Sequence, residues 1–325
     1  LGADVLGISK EIPRYNSNFK TLKKLKFKNK IINIKDYKKL KKTIIQFKPD
    51  FIFHLAAQAI VYKSLNDPRD TWETNLIGTM NLLQSIRFLK KKCSAVIITS
   101  DKCYENLEIS KGYKETDRLG GSDPYSASKA SAEILIKSYF KSFLKKNKNV
   151  RIASARAGNV IGGGDWSSNR IIPDCVRAWK NKKILKIRNP NSTRPWQHVL
   201  EPIRGYMDLA IKLNNSNKIN GESFNFGPRQ NIKKKRVIDV VKEISKFWSG
   251  FNWKIKKTKT SIETNLLSLN CEKAKKKLNW SLSLTSEEAI KLTSQWYKDF
   301  YDRKKNNLTL DQINYYEKKI NKRKN

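Results

Sequence analysis

The sequence predicts an α/β fold built around a doubly wound parallel β-sheet. Short apolar runs at residues 3–8, 51–55, 95–99 and 151–155 alternate with helical segments along the first half of the chain. Apolar runs of this length are typical of parallel strands buried on both faces. In such sheets ligands bind beyond the carboxyl ends of the strands, so the residues that follow each run are the candidate site.

The helical segments have local start and stop signals. Asp36 is placed to cap a helix that Pro49 ends, and Pro68 is suited to the first turn of a longer helix that extends to about residue 86. Residues 31–34 are apolar and are predicted as a strand, whereas residues 10–30 are polar and basic and are predicted as a loop.

Polar or glycine-rich clusters follow three of the predicted strands. They are Ala56–Gln58, Ser100–Lys102 and the loop Gly158–Gly164. Because parallel strands end at one edge of the sheet, we expect these clusters to lie on the same edge. Small residues such as those of the first cluster let a flat ligand approach the backbone.

A tyrosine and a lysine at helical spacing supply candidate proton chemistry. Asp123 and Pro124 predict a helix N-terminus, so Tyr125 and Lys129 lie one turn apart on one face. A nearby ammonium favours phenolate and lowers the pKa of the phenol, which can then accept a proton from a hydroxyl that loses hydride to a nicotinamide. The alternative interpretation is an exposed helical pair without function.

The pattern changes after Arg156 and predicts a second, smaller domain. We assign residues 1–163, joined by about 200–228, to the first domain and residues 164–199 and 229–300 to the second. Residues 301–325 form a charged tail.

Composition limits the other function classes. The formal net charge is +39, but the basic residues are mostly lysines spread along the chain, which favours a basic enzyme surface over nucleic-acid binding. Four widely spaced cysteines indicate a reducing cytoplasm, and two histidines make a His-rich metal site implausible. No apolar run of 18 residues and no signal peptide is found, so no membrane association is expected.

Several strings together resemble the extended short-chain dehydrogenase/reductase superfamily, in its NAD-dependent epimerase/dehydratase family. The strings shared with the superfamily are HLAAQA at 54–59, NLIGT at 75–79, Tyr125-x-x-x-Lys129 and RAGNV at 156–160. The strings TSDKCYEN at 99–106, GGGDW at 162–166 and TRPWQHVLEP at 193–202 are similar to its CDP-glucose 4,6-dehydratase branch. The resemblance implies a Rossmann-like fold, bound NAD, a CDP-glucose substrate and a 4-keto-6-deoxy product. It also implies that the first domain binds NAD and that the second binds a nucleotide-sugar substrate.

The resemblance also implies roles for individual residues. Tyr125 is the base at the carbon 4 hydroxyl, Lys129 lowers its pKa and holds the nicotinamide ribose, and Ser100 hydrogen-bonds the same hydroxyl. Asp101 is the acid that expels the carbon 6 hydroxyl, and Lys102 is the base at carbon 5, which requires a neutral amine. The alternative for Asp101 and Lys102 is a solvated turn.

Two further sets of residues are implied by the resemblance. The cofactor set is Asn33, Ile34, Leu55, Ala56, Ala57, Gln58, Asn75, Thr99, Tyr125 and Lys129. The nucleotide-sugar set is Asn159, Asn169, Arg170, Arg194, Trp196 and His198, with core packing as the alternative for Trp196 and His198. A homodimer packed through the helices at 72–86 and 125–140 is also implied.

The sequence departs from the family at two points. It has no Gly-x-x-Gly-x-x-Gly turn, and its first residues match the family beyond that turn, so we expect about 30 residues of a first β-α unit to be missing and NAD binding to suffer. Asn33 stands where the family often has an Asp near the adenine. Ser9 and Lys10, with no acid, follow the strand that reads the adenosine ribose, so NADP stays open, but NAD is the expected cofactor because the family holds it tightly. The remaining alternatives are another nucleotide-sugar epimerase or dehydratase, or a non-catalytic basic binding protein.

Overall fold

The computed structural model describes residues 2–12, 18–21, 27–194, 196–228, 235–248, 250–256, 266–302 and 307–322. The chain divides into two compact units. Unit 1 comprises Leu1–Asn106, Glu115–Ala157 and Gly205–Asn225, and unit 2 comprises Leu107–Lys114, Gly158–Arg204 and Phe226–Asn325. The assignment of these units to cofactor and substrate remains a prediction.

Unit 1 alternates strands and helices. In chain order its elements are β1 Leu6–Ser9, α1 Asn18–Thr21, β2 Lys28–Ile31, α2 Tyr37–Phe47, β3 Phe51–His54, α3 Val61–Asn66, α4 Pro68–Trp72, a π-helical turn Glu73–Ile77, α5 Gly78–Ile86, β4 Cys93–Ile98, a 3₁₀ turn Asp101–Cys103, α6 Pro124–Tyr139, a π-helical turn Phe140–Leu144 and β5 Val150–Ala157. They are followed by the later part of α8 Leu200–Asn215, a 3₁₀ turn Asn217–Ile219 and most of β9 Ser223–Phe226.

The main sheet has the strand order β3-β4-β5-β9, and β1 pairs with β2 in parallel as a separate two-stranded sheet. β3 and β4 pair in parallel, as do β4 and β5. These parallel strands, linked by helices, confirm the predicted α/β class. β4 is buried along almost its whole length, whereas Phe51 and Phe53 of β3 are exposed.

The predicted positions of two early elements were wrong. The second strand is Lys28–Ile31 and not residues 31–34, and the segment predicted as a loop contains α1. Ile32 and Ile34 are buried, but they follow the strand because the register with β1 pairs Ser9 with Ile31. Their apolar side chains, which are buried without pairing as a strand, therefore resembled a strand in the sequence.

The sheets of unit 2 are smaller than the main sheet of unit 1, and unit 2 is rich in aromatic residues. Its elements are β6 Val160–Ile161, α7 Ile171–Lys180, β7 Leu185–Ile187, β8 Gln197–His198, the start of α8, α9 Val237–Ser245, β10 Trp253–Ile255, α10 Glu272–Leu278, α11 Ser286–Tyr301 and α12 Leu308–Asn321. β6 pairs with β8 and β7 with β10, both in parallel. A Cβ atom at Gly163 would lie 2.0 Å from the Trp296 ring, so only glycine permits this contact in the aromatic core.

None of the helices in the described part of the chain combines the length and the hydropathy that a bilayer-crossing segment needs.

Candidate active site

The predicted start of the tyrosine helix is confirmed. Pro124 occupies the first turn of α6, and Asp123 caps the helix by accepting a hydrogen bond from the Ser126 backbone N at 3.0 Å. Tyr125 and Lys129 are both buried on this helix. The alternative of an exposed pair is therefore wrong.

Lys129 is held in an environment that disfavours its charge. Its Nζ lies 3.5 Å from the Ile98 carbonyl oxygen at the end of β4. Burial lowers the pKa of Lys129 to about 8, while the nearby Cys103 and Glu133 act in the opposite direction. At neutral pH this side chain is a buried cation on the same helix face as the Tyr125 phenol.

The turn after β4 presents a buried carboxylate. Ser100 Oγ donates to Asp101 Oδ1 at 2.9 Å and accepts a hydrogen bond from the Lys102 backbone N at 3.2 Å. Asp101 is 2% exposed, and its Oδ2 has no hydrogen-bond partner among the described residues. Lys102 Nζ lies 4.0 Å from Asp101 Oδ1 and is partly exposed. The turn packs against α6, so all five predicted catalytic residues belong to one part of unit 1.

Among the predicted cofactor residues, Asn75 supports the loop after β3. Its Oδ1 accepts a hydrogen bond from the Gln58 backbone N at 2.8 Å, and its Nδ2 donates to the Gln58 carbonyl oxygen at 3.0 Å and to Ser128 Oγ at 2.9 Å. Asn75 thereby ties this loop to α6. Leu55 and Ala56 are exposed at the carboxyl end of β3, and Ala57 is half-buried.

The other predicted cofactor residues are spread over neighbouring segments. Asn33 Oδ1 accepts a hydrogen bond from the Lys35 backbone N at 3.0 Å, and Ile34 is buried against α5, where a Cβ at Gly78 would lie 2.4 Å from the Ile34 side chain. Thr99 is buried and donates to Glu133 Oε1 at 2.5 Å. Thr99 thus contacts the helix of Tyr125 and supports the turn beside it.

The predicted nucleotide-sugar residues lie in unit 2 and differ in exposure. Asn169 is exposed with a φ of 61°, and Arg170 at the start of α7 pairs with Asp165 at 3.0 Å. Asn159 is half-buried just after β5. Arg194 is largely buried, and its Nη1 donates to the Thr193 carbonyl oxygen at 2.8 Å.

Trp196 and His198 are both enclosed. Trp196 belongs to the hydrophobic core of unit 2, and its Nε1 donates to the Lys235 carbonyl oxygen at 3.2 Å. His198 is 1% exposed, and burial lowers its pKa to about 4. His198 is therefore neutral at physiological pH and offers a pyrophosphate no positive charge.

Two buried charged residues, one on α6 and one on β5, were given no role in the sequence analysis. Glu133 lies one turn beyond Lys129, and its carboxylate pairs with Arg156 of β5 at 2.7 Å. The helical spacing of Tyr125, Lys129 and Glu133 was the available signal. Only the structure shows that the third position is buried and paired.

The known proteins that this chain resembles include nucleotide-sugar dehydratases and epimerases. The GDP-mannose 4,6 dehydratase family matches residues 2–293. The chain is 38% identical over 303 residues to the CDP-glucose 4,6-dehydratase of Salmonella typhimurium, which covers 92% of this chain and 84% of that protein. It is 27% identical over 303 residues to the UDP-glucose 4-epimerase of Mycoplasma genitalium, covering 88% and 87%.

A solved structure with the same fold is the UDP-glucuronic acid 4-epimerase from Bacillus cereus in complex with UDP-glucuronic acid and NAD. It matches with a TM-score of 0.77 and 21% identity over 92% of each chain. At this identity the likeness establishes the fold.

Proposed function

The chain belongs to the GDP-mannose 4,6 dehydratase family, and we propose that it dehydrates CDP-glucose to CDP-4-keto-6-deoxyglucose by internal hydride transfer. The observation that carries this proposal is the environment of Asp101. Its carboxylate is buried, one oxygen accepts from Ser100, and the other has no partner among the described residues. Elimination needs an acid, and a polar atom that is buried without a protein partner fits a substrate hydroxyl.

The first step needs a base at the carbon 4 hydroxyl of the sugar. Tyr125 accepts that proton, and the buried Lys129 ammonium on the same helix face stabilises the resulting phenolate. Ser100 lies on the turn packed against this helix and orients the same hydroxyl. This arrangement supports oxidation at carbon 4.

Elimination then removes the carbon 6 hydroxyl and the carbon 5 proton. Asp101 donates a proton to the departing hydroxyl, and Lys102 accepts the proton from carbon 5. The Lys102 amine lies 4.0 Å from Asp101 Oδ1, so an acid and a base stand beside one another on a single turn. A carbon 4 epimerase has no step that uses such a pair.

The residues at the carboxyl ends of β3 and β4 fit NAD. Leu55 and Ala56 expose apolar side chains at the carboxyl end of β3, and the buried Lys129 amine is a donor suited to ribose hydroxyls. Bound NAD would supply the hydride acceptor for carbon 4 and the hydride donor for carbon 6. Asn75 orients the loop of Gln58. The remaining members of the proposed cofactor-binding set are Asn33, Ile34, Ala57 and Thr99.

The nucleotide part of the substrate is assigned to unit 2. Arg194 and Arg170 supply permanent positive charge for the pyrophosphate, since guanidinium groups grip phosphate oxygens in pairs. Asn159 and Asn169 contribute amides. Neutral His198 contributes hydrogen bonding rather than charge, and Trp196 supports the region from the hydrophobic core.

We assign a homodimer and a cytoplasmic location to the enzyme. Ile77 and Ile134 are exposed on the helical segments at 72–86 and 125–140, which favours an interface with a second copy through these helices. All four cysteines are free thiols, as a reducing compartment requires. The product serves deoxysugar synthesis for a cell-surface polysaccharide.

Product analysis tests the proposed function. The protein is expressed from its complete open reading frame and incubated with CDP-glucose, and the products are identified by NMR. A 4-keto-6-deoxy sugar on CDP is expected. A carbon 4 epimer would indicate an epimerase instead, and a protein that carries bound dinucleotide but leaves CDP-glucose unchanged would refute the proposal.

A further inference from the structure

A buried ion pair joins the helix that carries Tyr125 and Lys129 to strand β5. Glu133 follows Lys129 by one turn, so the three side chains share one face of α6. Glu133 is 3% exposed, and Arg156 Nη2 donates to its Oε2 at 2.7 Å. Neither charged group takes part in the chemistry proposed above, although both are adjacent to it.

The Glu133 carboxylate joins α6 to three neighbouring strands. Thr99, which precedes Ser100 at the end of β4, donates to Oε1 at 2.5 Å. Ser154 of β5 and Ser223 of β9 donate to Oε2 at 2.9 Å and 3.1 Å. A single side chain therefore links the helix to the strand that leads into the Asp101 turn.

Arg156 extends the network to the far end of that turn. Its Nη1 donates to Tyr104 Oη at 2.8 Å and to the Glu115 carbonyl oxygen at 3.1 Å. Tyr104 follows the 3₁₀ turn directly, and its hydroxyl donates to Asn225 Oδ1 at 2.7 Å. The turn that carries Asp101 is thus held at both ends, through Thr99 before it and Tyr104 after it.

Stability alone does not account for this pair. The cost of removing two charges from water offsets much of their attraction, so apolar residues of similar shape stabilise a core about as well. A carboxylate and a guanidinium differ from apolar residues in fixing direction, because their hydrogen bonds tolerate little misalignment.

We infer that Glu133 and Arg156 are positioning residues that hold the Tyr125 face of α6 in register with the Asp101 turn. The inference rests on the proposed dehydratase function. Proton transfer at carbon 4 and at carbon 6 of one sugar requires both groups at fixed places, and small displacements are costly to the rate.

The test replaces the pair by uncharged residues of similar size. In the protein expressed from its complete open reading frame, Glu133→Gln with Arg156→Met removes both members of the ion pair together, so the melting temperature should stay close to that of the wild type. We expect kcat to fall at least about tenfold while KM for CDP-glucose changes less than about twofold. A folded double variant with wild-type kcat would overturn the inference.

Two further variants separate positioning from general destabilisation. Asp70→Asn removes a half-buried carboxylate of unit 1 that binds Lys35 at 3.1 Å and Lys63 at 3.2 Å, and it should leave kcat unchanged. Ser154→Ala removes a hydrogen bond to Glu133, together with the contact of the same hydroxyl with Ser223 Oγ at 2.9 Å, without changing any charge. It should lower kcat about threefold at constant KM. If the double variant does not fold, Ser154→Ala alone tests the positioning role, and an unchanged kcat would contradict the inference.

Wild-type turnover in the same assay tests the proposed function separately. An inactive wild-type enzyme with bound dinucleotide would refute the dehydratase assignment. An active wild type matched by the double variant would refute only the positioning role.

Discussion

Replacement of Lys129 by methionine should stabilise the protein at neutral pH and at the same time abolish most of its activity. The side chain is buried, and among the described residues its amine has one long hydrogen-bond contact, 3.5 Å to the Ile98 carbonyl oxygen. Burial lowers the pKa of Lys129 from 10.5 to about 8, which means that the fold disfavours the charged form. Methionine has a similar shape and carries no charge to desolvate.

The size of the effect follows from the pKa. One pKa unit corresponds to about 1.4 kcal/mol, so the difference between 10.5 and about 8 represents about 3 kcal/mol of unfavourable free energy in the folded wild type. Loss of the weak contact to Ile98 offsets part of the gain. We therefore expect Lys129→Met to raise the free energy of unfolding by about 2 to 3 kcal/mol near pH 7.

The pH dependence of the stability difference identifies the desolvation of the Lys129 ammonium as its cause. Because the folded-state pKa is the lower one, the unfolded wild type binds more protons between about pH 8 and pH 10.5, and its stability rises with pH across this window. The advantage of the methionine variant should be complete below about pH 8 and should shrink above it. Denaturant unfolding followed by circular dichroism measures the stability of the wild type and of the methionine variant at each pH.

The same substitution removes the cation that stabilises the Tyr125 phenolate, so kcat should fall about a hundredfold or more. A Lys129→Met variant that is less stable than the wild type at neutral pH would refute this reasoning, because it would mean that the ammonium is well accommodated in the fold. A stability difference that does not change with pH would also contradict it.

Three other predictions concern single residues. Tyr125→Phe should yield no 4-keto-6-deoxy product by NMR, since no phenol remains to accept the carbon 4 proton, and wild-type turnover would remove the assignment of the base. Asp101→Asn should permit oxidation at carbon 4 but stall elimination, so that reduced-nicotinamide absorbance rises without product; full conversion would contradict the role of Asp101 as acid. Stability should fall as the pH drops below about 6.5, because burial lowers the pKa of His54 to about 3 and that of His198 to about 4, and the unfolded chain takes up these protons first. His54→Gln should weaken this dependence in denaturation curves, and an unchanged slope would exclude His54 as one of its sources.

The sequence was sufficient for the features that depend on neighbouring residues. The start of α6 was predicted from Asp123 and Pro124 because a cap and a first-turn proline act within one turn of helix. The α/β class followed from the alternation of apolar runs and helical segments. The family was recognised from strings that remain contiguous in the chain, and the match over residues 2–293 confirms it.

Tertiary structure decided what depends on residues far apart in the chain. The strand predicted at 31–34 is displaced to Lys28–Ile31 because its register is set by pairing with β1, which local propensity does not contain. The burial of Lys129 follows from packing around α6, whereas composition alone places most lysines at the surface. Arg156 lies 23 residues from Glu133, and nothing in either segment reveals that the two charges meet. Local hydrogen bonds and periodicity can be read from adjacent residues, but the dielectric environment and the partner of a charge depend on the folded chain as a whole.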